Sequence, residues 1–135
     1  ADVSGKGIPA ALLMSNFQAS LRILARQKAK LNLSLQDVVH ELNTQVFQSA
    51  NGEKFITFFI AHIHIKECYL EYINAGHNHP VLLKNNSLKH MNTGTIMLGA
   101  FPKLPFLKSE KIDIDKNTLL FAYTDGIIET NNNID

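Results

Sequence analysis

The spacing of apolar residues changes once along the chain, near residue 55. From Pro9 to about Lys30, Leu13, Phe17, Leu21 and Leu24 recur at helical spacing while Ser15, Gln18, Arg22 and Arg26 line another face. This predicts a long helix whose stripe packs on a core. Pro9 suits a first turn, where an N–H has no intrahelical acceptor, and Arg26, Lys28 and Lys30 suit the C-terminal end of the helix dipole. Asn32-Leu33 is a connector. Ser34 has the character of an N-cap, with Asp37 three residues on, and Leu35, Val38, Val39, Leu42 and Val46 predict a second helix over 35–49. Asn51-Gly52 is a turn signal.

Beyond that point the period is that of strands. Residues 55–65 are rich in Phe, Ile and Thr and close on the alternation Ala61, His62, Ile63, His64, Ile65. Lys66-Glu67 predicts a two-residue turn into a strand from Cys68 to about Asn74. The loop AGHNHP carries Gly76 and Pro80, and Val81–Lys84 then turns through Asn85-Asn86 into Leu88–Met91. Residues 92–109 hold Gly94, Gly99, Pro102 and Pro105 and read as an ordered loop. Ile112 and Ile114 mark a short strand, Asn117 suits a left-handed turn, and Leu119–Tyr123 reads as a buried strand. Two helices followed by many short strands predict an α+β fold with helices packed on an antiparallel sheet.

Composition narrows the function classes. With 135 residues, 45% hydrophobic and 19% charged, the chain reads as one ordinary globular domain or most of one. A formal net charge of +1 gives no argument for nucleic acid or for an anionic membrane surface. The single cysteine, Cys68, excludes an internal disulfide, fits a reducing cytoplasm and is read as inert. No apolar run approaches the ~20 residues of a membrane span, and no signal peptide is visible. The chain opens on Ala1, enters its best motif at the second residue and closes in Asn131-Asn132-Asn133-Ile134-Asp135, so it is read as a fragment of something longer.

The candidate chemistry sits near the two ends. In ADVSGKGIPAALLM, Asp2 stands just ahead of the turn Ser4-Gly5-Lys6-Gly7, which opens into the first helix. In FAYTDGIIE, Asp125 stands at the end of an apolar strand with Gly126 behind it. Carboxylates at strand ends beside tight turns are hard oxygen ligands in rigid places, suited to Mg²⁺ or Mn²⁺. Each aspartate could equally cap its own turn, and the residues alone leave both readings open. Free N–H groups near Gly7 and Ile8, with the charge of Lys6, could help hold a phosphate. The stretch is not a P-loop, because no Ser or Thr follows the Lys and the G-x-x-x-x-G-K spacing is absent. His62 and His64 share one side of a strand, and His77 and His79 share one loop; four imidazoles could make a zinc site. The plainer reading, favoured here, has the strand pair facing solvent and the loop pair structural, with His40 and His90 on the surface.

The segments DVSGKGIPAALLM, KFITFFIAHI, LEYINAGHNHPVLL, IMLGAF and LLFAYTDGIIET resemble, in order and spacing, the SpoIIE/RsbU-like branch of the bacterial metal-dependent serine/threonine phosphatases (type 2C-like). The resemblance covers essentially the whole chain. It implies an antiparallel β-sandwich flanked by helices, an α-β-β-α architecture, with a dinuclear Mg²⁺ or Mn²⁺ site at one end. It implies that Asp2 and Asp125 are the metal-ligating, catalytic aspartates and that the Val3 backbone carbonyl reaches a metal. Lys6 and Gly7 remain candidates for substrate phosphate, and Gly76-His77-Asn78 is a family hallmark with no role read here. Two such cations, roughly 3.5–4 Å apart, activate a water and neutralise the phosphoryl oxygens, so no protein nucleophile is needed.

The resemblance also implies a partner, a phosphorylated STAS-type anti-anti-sigma regulator in a partner-switching pathway. It implies a domain placed behind a sensor, commonly dimeric and cytoplasmic, whatever anchors the parent protein. Two departures matter. The family carries a further metal-ligating aspartate before the position where this chain begins, and another after the position where it ends. Residues 1–135 are therefore expected to be the central part of one phosphatase domain, weak in metal binding and nearly inactive alone. Asn117-Thr118 also stands where the family usually has Gly-Asp. The alternative is a catalytically inactive, phosphatase-like binding module; a zinc-histidine protein is the third reading.

Overall fold

The structure, a computed structural model, describes residues 1–124 and Gly126. Helix α1 spans Gly7–Leu31 and helix α2 spans Leu35–Ala50. Both end on an asparagine in the left-handed region, Asn32 (φ 53) and Asn51 (φ 49), a conformation this residue tolerates better than most. The start of α2 carries the anticipated capping box. The Ser34 hydroxyl accepts from the Asp37 N–H at 3.0 Å, and the Asp37 carboxylate accepts from the Ser34 N–H at 2.9 Å. The stripe Leu13, Phe17 and Leu24 and the stripe Leu35, Val38, Val39, Leu42 and Val46 are buried, as their spacing predicts.

The strands, in chain order, are β1 (Asp2–Val3), β2 (Ile56–His64), β3 (Tyr69–Ala75), β4 (Val81–Lys84), β5 (Ser87–His90), β6 (Gly94–Thr95), β7 (Glu110–Asp113) and β8 (Leu119–Phe121). One sheet runs β1-β2-β3-β6, with β7 also paired to β3; the other runs β5-β4-β8. Side chains alternate across a strand, so β2 and β3 serve two cores. Ile56, Phe58, Ile73 and Ala75 face the helices, where the Phe17 ring meets Phe58 edge-on at 5.0 Å. Phe59, Ala61, Leu70 and Tyr72 face Leu82, Met91 and Leu120 and close the sandwich against the second sheet. The result is the expected α+β sandwich, with helices over the outer face of the first sheet.

Four local expectations change. The β2–β3 register pairs His64 with Tyr69, which makes a four-residue connection, Ile65–Cys68, instead of two; Cys68 takes φ 54 within it and does not begin the strand. Residues 94–95, read as loop, form β6, which pairs in parallel with Asn74 and Ala75. Only glycine fits there, since a Cβ at 94 would lie 1.8 Å from the Asn74 carbonyl oxygen. Asn117 is not left-handed; the Asp115 carboxylate makes the turn by accepting from the Asn117 N–H at 2.8 Å and the Thr118 hydroxyl at 3.1 Å. Finally, β8 alternates: Leu120 points into the sandwich, while Leu119 and Phe121 are 59% and 54% exposed. A strand packed on one face needs only every second residue buried.

A buried amide ties the long segment after β6 to α2. Asn43 is buried on α2; its oxygen accepts from the Gly99 N–H at 2.9 Å and its nitrogen donates to the Phe101 carbonyl at 3.1 Å. Nearby, Glu110 accepts from Tyr72 at 2.6 Å, from Thr93 at 2.8 Å and from Lys89. Burial works to raise the Glu110 carboxyl, but the hydrogen bonds from Lys89, Tyr72 and Thr93 outweigh it and hold the group below its ordinary value.

Two outcomes follow from these contacts. Asn43→Ala is expected to lower the unfolding free energy by roughly 1–3 kcal/mol, because it leaves two backbone groups without partners; urea unfolding measures it. The carboxyl of Glu110 is depressed on folding, so its contribution is complete above the unfolded value of about 4.3 and is lost as pH falls through the lower folded value. The urea midpoint should therefore drop below about pH 4, and Glu110→Gln should flatten that drop.

Candidate metal and phosphate site

Strand β1 lies at the edge of the first sheet, with Asp2 opposite Thr57 and Val3 opposite Ile56. The Ser4 N–H donates to the Phe55 carbonyl at 2.9 Å, and the Ser4 hydroxyl accepts from the Phe55 N–H at 2.9 Å. Hydrogen-bonded pairs alternate along an antiparallel ladder, so Val3 falls at a position that exchanges no bonds with β2. The partner residue confirms it, because the Ile56 N–H and C=O are both spent on Leu98, at 2.9 and 2.8 Å. The Val3 carbonyl is thus directed off the sheet edge while its side chain joins the helix-side core. Asp2 is exposed and, among the described residues, makes no hydrogen bond or ion pair to another side chain.

After Ser4 the chain reverses into α1. Gly5 has φ +89, and a Cβ there would lie 2.8 Å from the Lys54 ammonium. Lys6 is the N-cap residue, extended and without a side-chain cap, and the first turn of α1 holds no acidic residue. The opening N–H groups of α1 therefore stand uncapped beside an exposed Lys6, next to Asp2 in the chain. Asp2, Val3, Lys6 and Gly7 belong to one six-residue strand–turn–helix passage, from β1 into α1. Asp125 lies outside the described residues.

The AGHNHP loop meets this edge. Asn74, 3% exposed, accepts from the His77 N–H at 2.8 Å and donates to the His77 carbonyl at 3.1 Å and the Met91 carbonyl at 3.0 Å. His77 is buried, and its Nδ1 lies 2.9 Å from the hydroxyl of Thr57, the residue opposite Asp2. On its far side the loop lines a cleft of ≈ 370 Å³ with His90 and Tyr123. Strand β8 runs antiparallel to β4, pairing Phe121 with Val81, so residues 121–124 leave β8 beside the point where the loop enters β4. Thr57 and Asn74 carry no motif of their own. The legible sign was a polar residue at an inward strand position just before Ala75-Gly76.

With this geometry established, comparison with known proteins is decisive for the family. All 135 residues match the family model Stage II sporulation protein E (SpoIIE). The chain belongs to the SpoIIE family. It is 28% identical over 131 residues to the phosphoserine phosphatase RsbU of Bacillus subtilis (strain 168), covering 96% of this chain and 38% of RsbU. It is 27% identical over 156 aligned positions to Protein IcfG of Synechocystis sp., covering 95% of this chain and 24% of IcfG. The chain thus spans well under half the length of these relatives. The crystal structure of the RsbU and RsbW domains of Rv1364c from Mycobacterium tuberculosis superposes with a TM-score of 0.74 at 23% identity, over 95% of this chain and 35% of that one. That likeness establishes the shared fold.

The SpoIIE-family sandwich also separates the histidines. His62 and His64 stand on the helix side of β2, not in open solvent; their rings are 4.1 Å apart, and His64 stacks on Tyr69 at 4.2 Å. His62 Nδ1 and His64 Nε2 are buried without a hydrogen-bond partner among the described residues. Burial, then the neighbouring His64 and Lys28, hold the His62 imidazole below its ordinary value against the pull of Glu71. His77 contacts the other end of β2, some five residues away, or about 17 Å of strand. The four imidazoles do not converge, and among the described residues no group of three or more His, Cys, Asp or Glu is arranged to hold a metal. His40, His79 and His90 are exposed, as is Cys68. No helix among the described residues is long and apolar enough to cross a membrane.

The Asp2 edge and the His62–His64 pair therefore lie at opposite ends of β2. A carboxylate and an outward carbonyl fit Mg²⁺ or Mn²⁺ at the Asp2 edge. The loop beside them rests on the Asn74 amide, whose removal strands three buried backbone groups. Asn74→Ala should cost roughly 2–4 kcal/mol, and hydrogen exchange at the His77 amide should accelerate with it.

Proposed function

We propose that this chain is the central part of a single metal-dependent protein phosphatase domain acting on phosphoserine or phosphothreonine. The observation that carries the reading is the Asp2 edge: an exposed carboxylate, a neighbouring carbonyl free of the ladder, and an uncapped helix start, all within residues 2–7. The path of β8 supports a second carboxylate there, because the strand delivers its C-terminal end to the loop that touches Thr57. In this reading Asp2, Asp125 and the Val3 carbonyl hold two Mn²⁺ or Mg²⁺ ions. Those ions supply Lewis-acid activation of water and neutralise charge on the phosphoryl oxygens.

The chain's own residues do the rest. Lys6 and the N–H groups from Gly7 onward bind and orient the phosphate of the substrate, since the positive end of the helix dipole and a cation both favour an anion. The side chain of Val3, packed in the core, keeps β1 in register so that carbonyl and carboxylate stay fixed relative to α1. Likeness to the phosphoserine phosphatase RsbU supports phosphoserine as the group acted on; in our reading it is carried by a STAS-type anti-sigma antagonist in the cytoplasm. The domain works as part of a longer protein, commonly a homodimer, and residues 1–135 alone bind metal weakly.

The test compares residues 1–135 with a form extended at both ends, measuring Mn²⁺-dependent release of phosphate from a phosphoserine protein. The extended form should turn over, and Asp2→Asn or Asp125→Asn should each lower its rate at least about a hundredfold with the melting temperature nearly unchanged. An extended form that binds the phosphoprotein without turnover, metal supplied, would instead identify the inactive binding module.

A further inference from the structure

The proposed site assigns nothing to Thr57 or His77, yet the two connect the most rigid polar group of the sandwich to the Asp2 edge. The His77 backbone is clamped at both its N–H and its C=O by the Asn74 amide, which fixes where the imidazole departs from the main chain. Its Nδ1 meets the Thr57 hydroxyl at 2.9 Å. Thr57 and Asp2 are directly opposite in an antiparallel pair, so their side chains rise from the same face with Cα atoms about 5.5 Å apart. That face is the sandwich side, carried onward by Phe59 and Ala61.

We propose that Thr57 and His77 are positioning residues for the Asp2 carboxylate, acting as a hydrogen-bond relay from ring to hydroxyl to carboxylate; this rests on the reading of Asp2 as a metal ligand. A threonine hydroxyl offers one donor and two acceptor sites. When Nδ1–H of His77 donates to the Thr57 oxygen, the hydroxyl proton is left to donate toward Asp2, whose carboxylate makes no side-chain hydrogen bond among the described residues and would turn to the hydroxyl on taking a cation. One carboxylate oxygen is then oriented by Thr57 and the other is turned outward to a cation. Partners behind a metal ligand fix its rotamer in this way, and losing one typically weakens metal binding 10–100-fold.

Valine keeps the shape and β-branching of threonine and removes only the hydroxyl, which makes the test direct. In the extended form, Mn²⁺ binding is measured by isothermal titration calorimetry, with metal-free melting followed in parallel. Thr57→Val should weaken Mn²⁺ binding about tenfold, Thr57→Ser should restore it, and the metal-free melting temperature should stay within a few degrees of wild type in both. Wild-type affinity in Thr57→Val, or a loss that Thr57→Ser does not restore, overturns the relay. Asp2→Asn separates the two levels. If it abolishes binding while Thr57→Val does not, only the relay is lost; if it binds Mn²⁺ as wild type does, the assignment of Asp2 itself fails.

Discussion

The side-chain amide of Asn74 sits almost without solvent near the end of β3, and three backbone groups depend on it: the N–H and C=O of His77 and the C=O of Met91. None of these can find water where it lies, so losing the amide would strand all three. The same residue has β6 pressed against its main chain, where Gly94 leaves no room for a side chain. Through Met91 the amide reaches the hinge into the second sheet, since the Met91 N–H is bonded to the Pro80 carbonyl at 2.8 Å. The course of residues 76–80 and the start of β4 are tied to this point, while the apolar contacts between the sheets close the sandwich.

That constraint reaches the candidate chemistry by short links. The His77 backbone is fixed by the clamp, Thr57 meets its ring, and Asp2 stands opposite Thr57. On the other side of Asp2, α1 carries Lys6 and its uncapped first turn, and the buried stripe of that helix anchors it over β2 and β3. The acidic edge is therefore held between two well-packed bodies and does not ride on a loose loop. The proposed role of this edge, fixing two cations and a phosphate, would benefit from that arrangement, because distortion of a ligand set by even an ångström is costly.

Much of this is legible in the residues, and the exceptions have physical causes. The helices declare themselves because their buried stripes repeat without interruption and because Ser34 and Asp37 form a cap of known chemistry. The hairpin at Asn85-Asn86 is equally plain, both residues taking positive φ as a tight turn of this kind requires. Strand β6 is hidden because it is two residues long and is created by a close approach to Asn74, a tertiary event with no local signal. Leu119 and Phe121 read as buried because apolar runs suggest burial on both sides, whereas one face of β8 has the sandwich and the other is open among the described residues. His62 and His64 share a side as the alternation of strands requires, but which side is decided by register: β2 turns its even-numbered positions toward the helices. In the candidate site, Asp2, Val3 and Lys6 are announced by the DVSGKG wording. Thr57 and Asn74 are not, because the bonds that tie Thr57 to His77 and Asn74 to Met91 span 20 and 17 residues of chain.

The central claim is that Asp2 and Asp125 share one pocket for divalent cations. Its most direct test is Mn²⁺ anomalous diffraction from crystals of the extended form, which locates the metal without reference to activity. The account predicts anomalous peaks at the Asp2 edge, with carboxylate oxygens of both Asp2 and Asp125 and the Val3 carbonyl at coordination distance. Manganese bound elsewhere, at the His62–His64 pair for instance, or at Asp2 with Asp125 turned to another part of the surface, would contradict it.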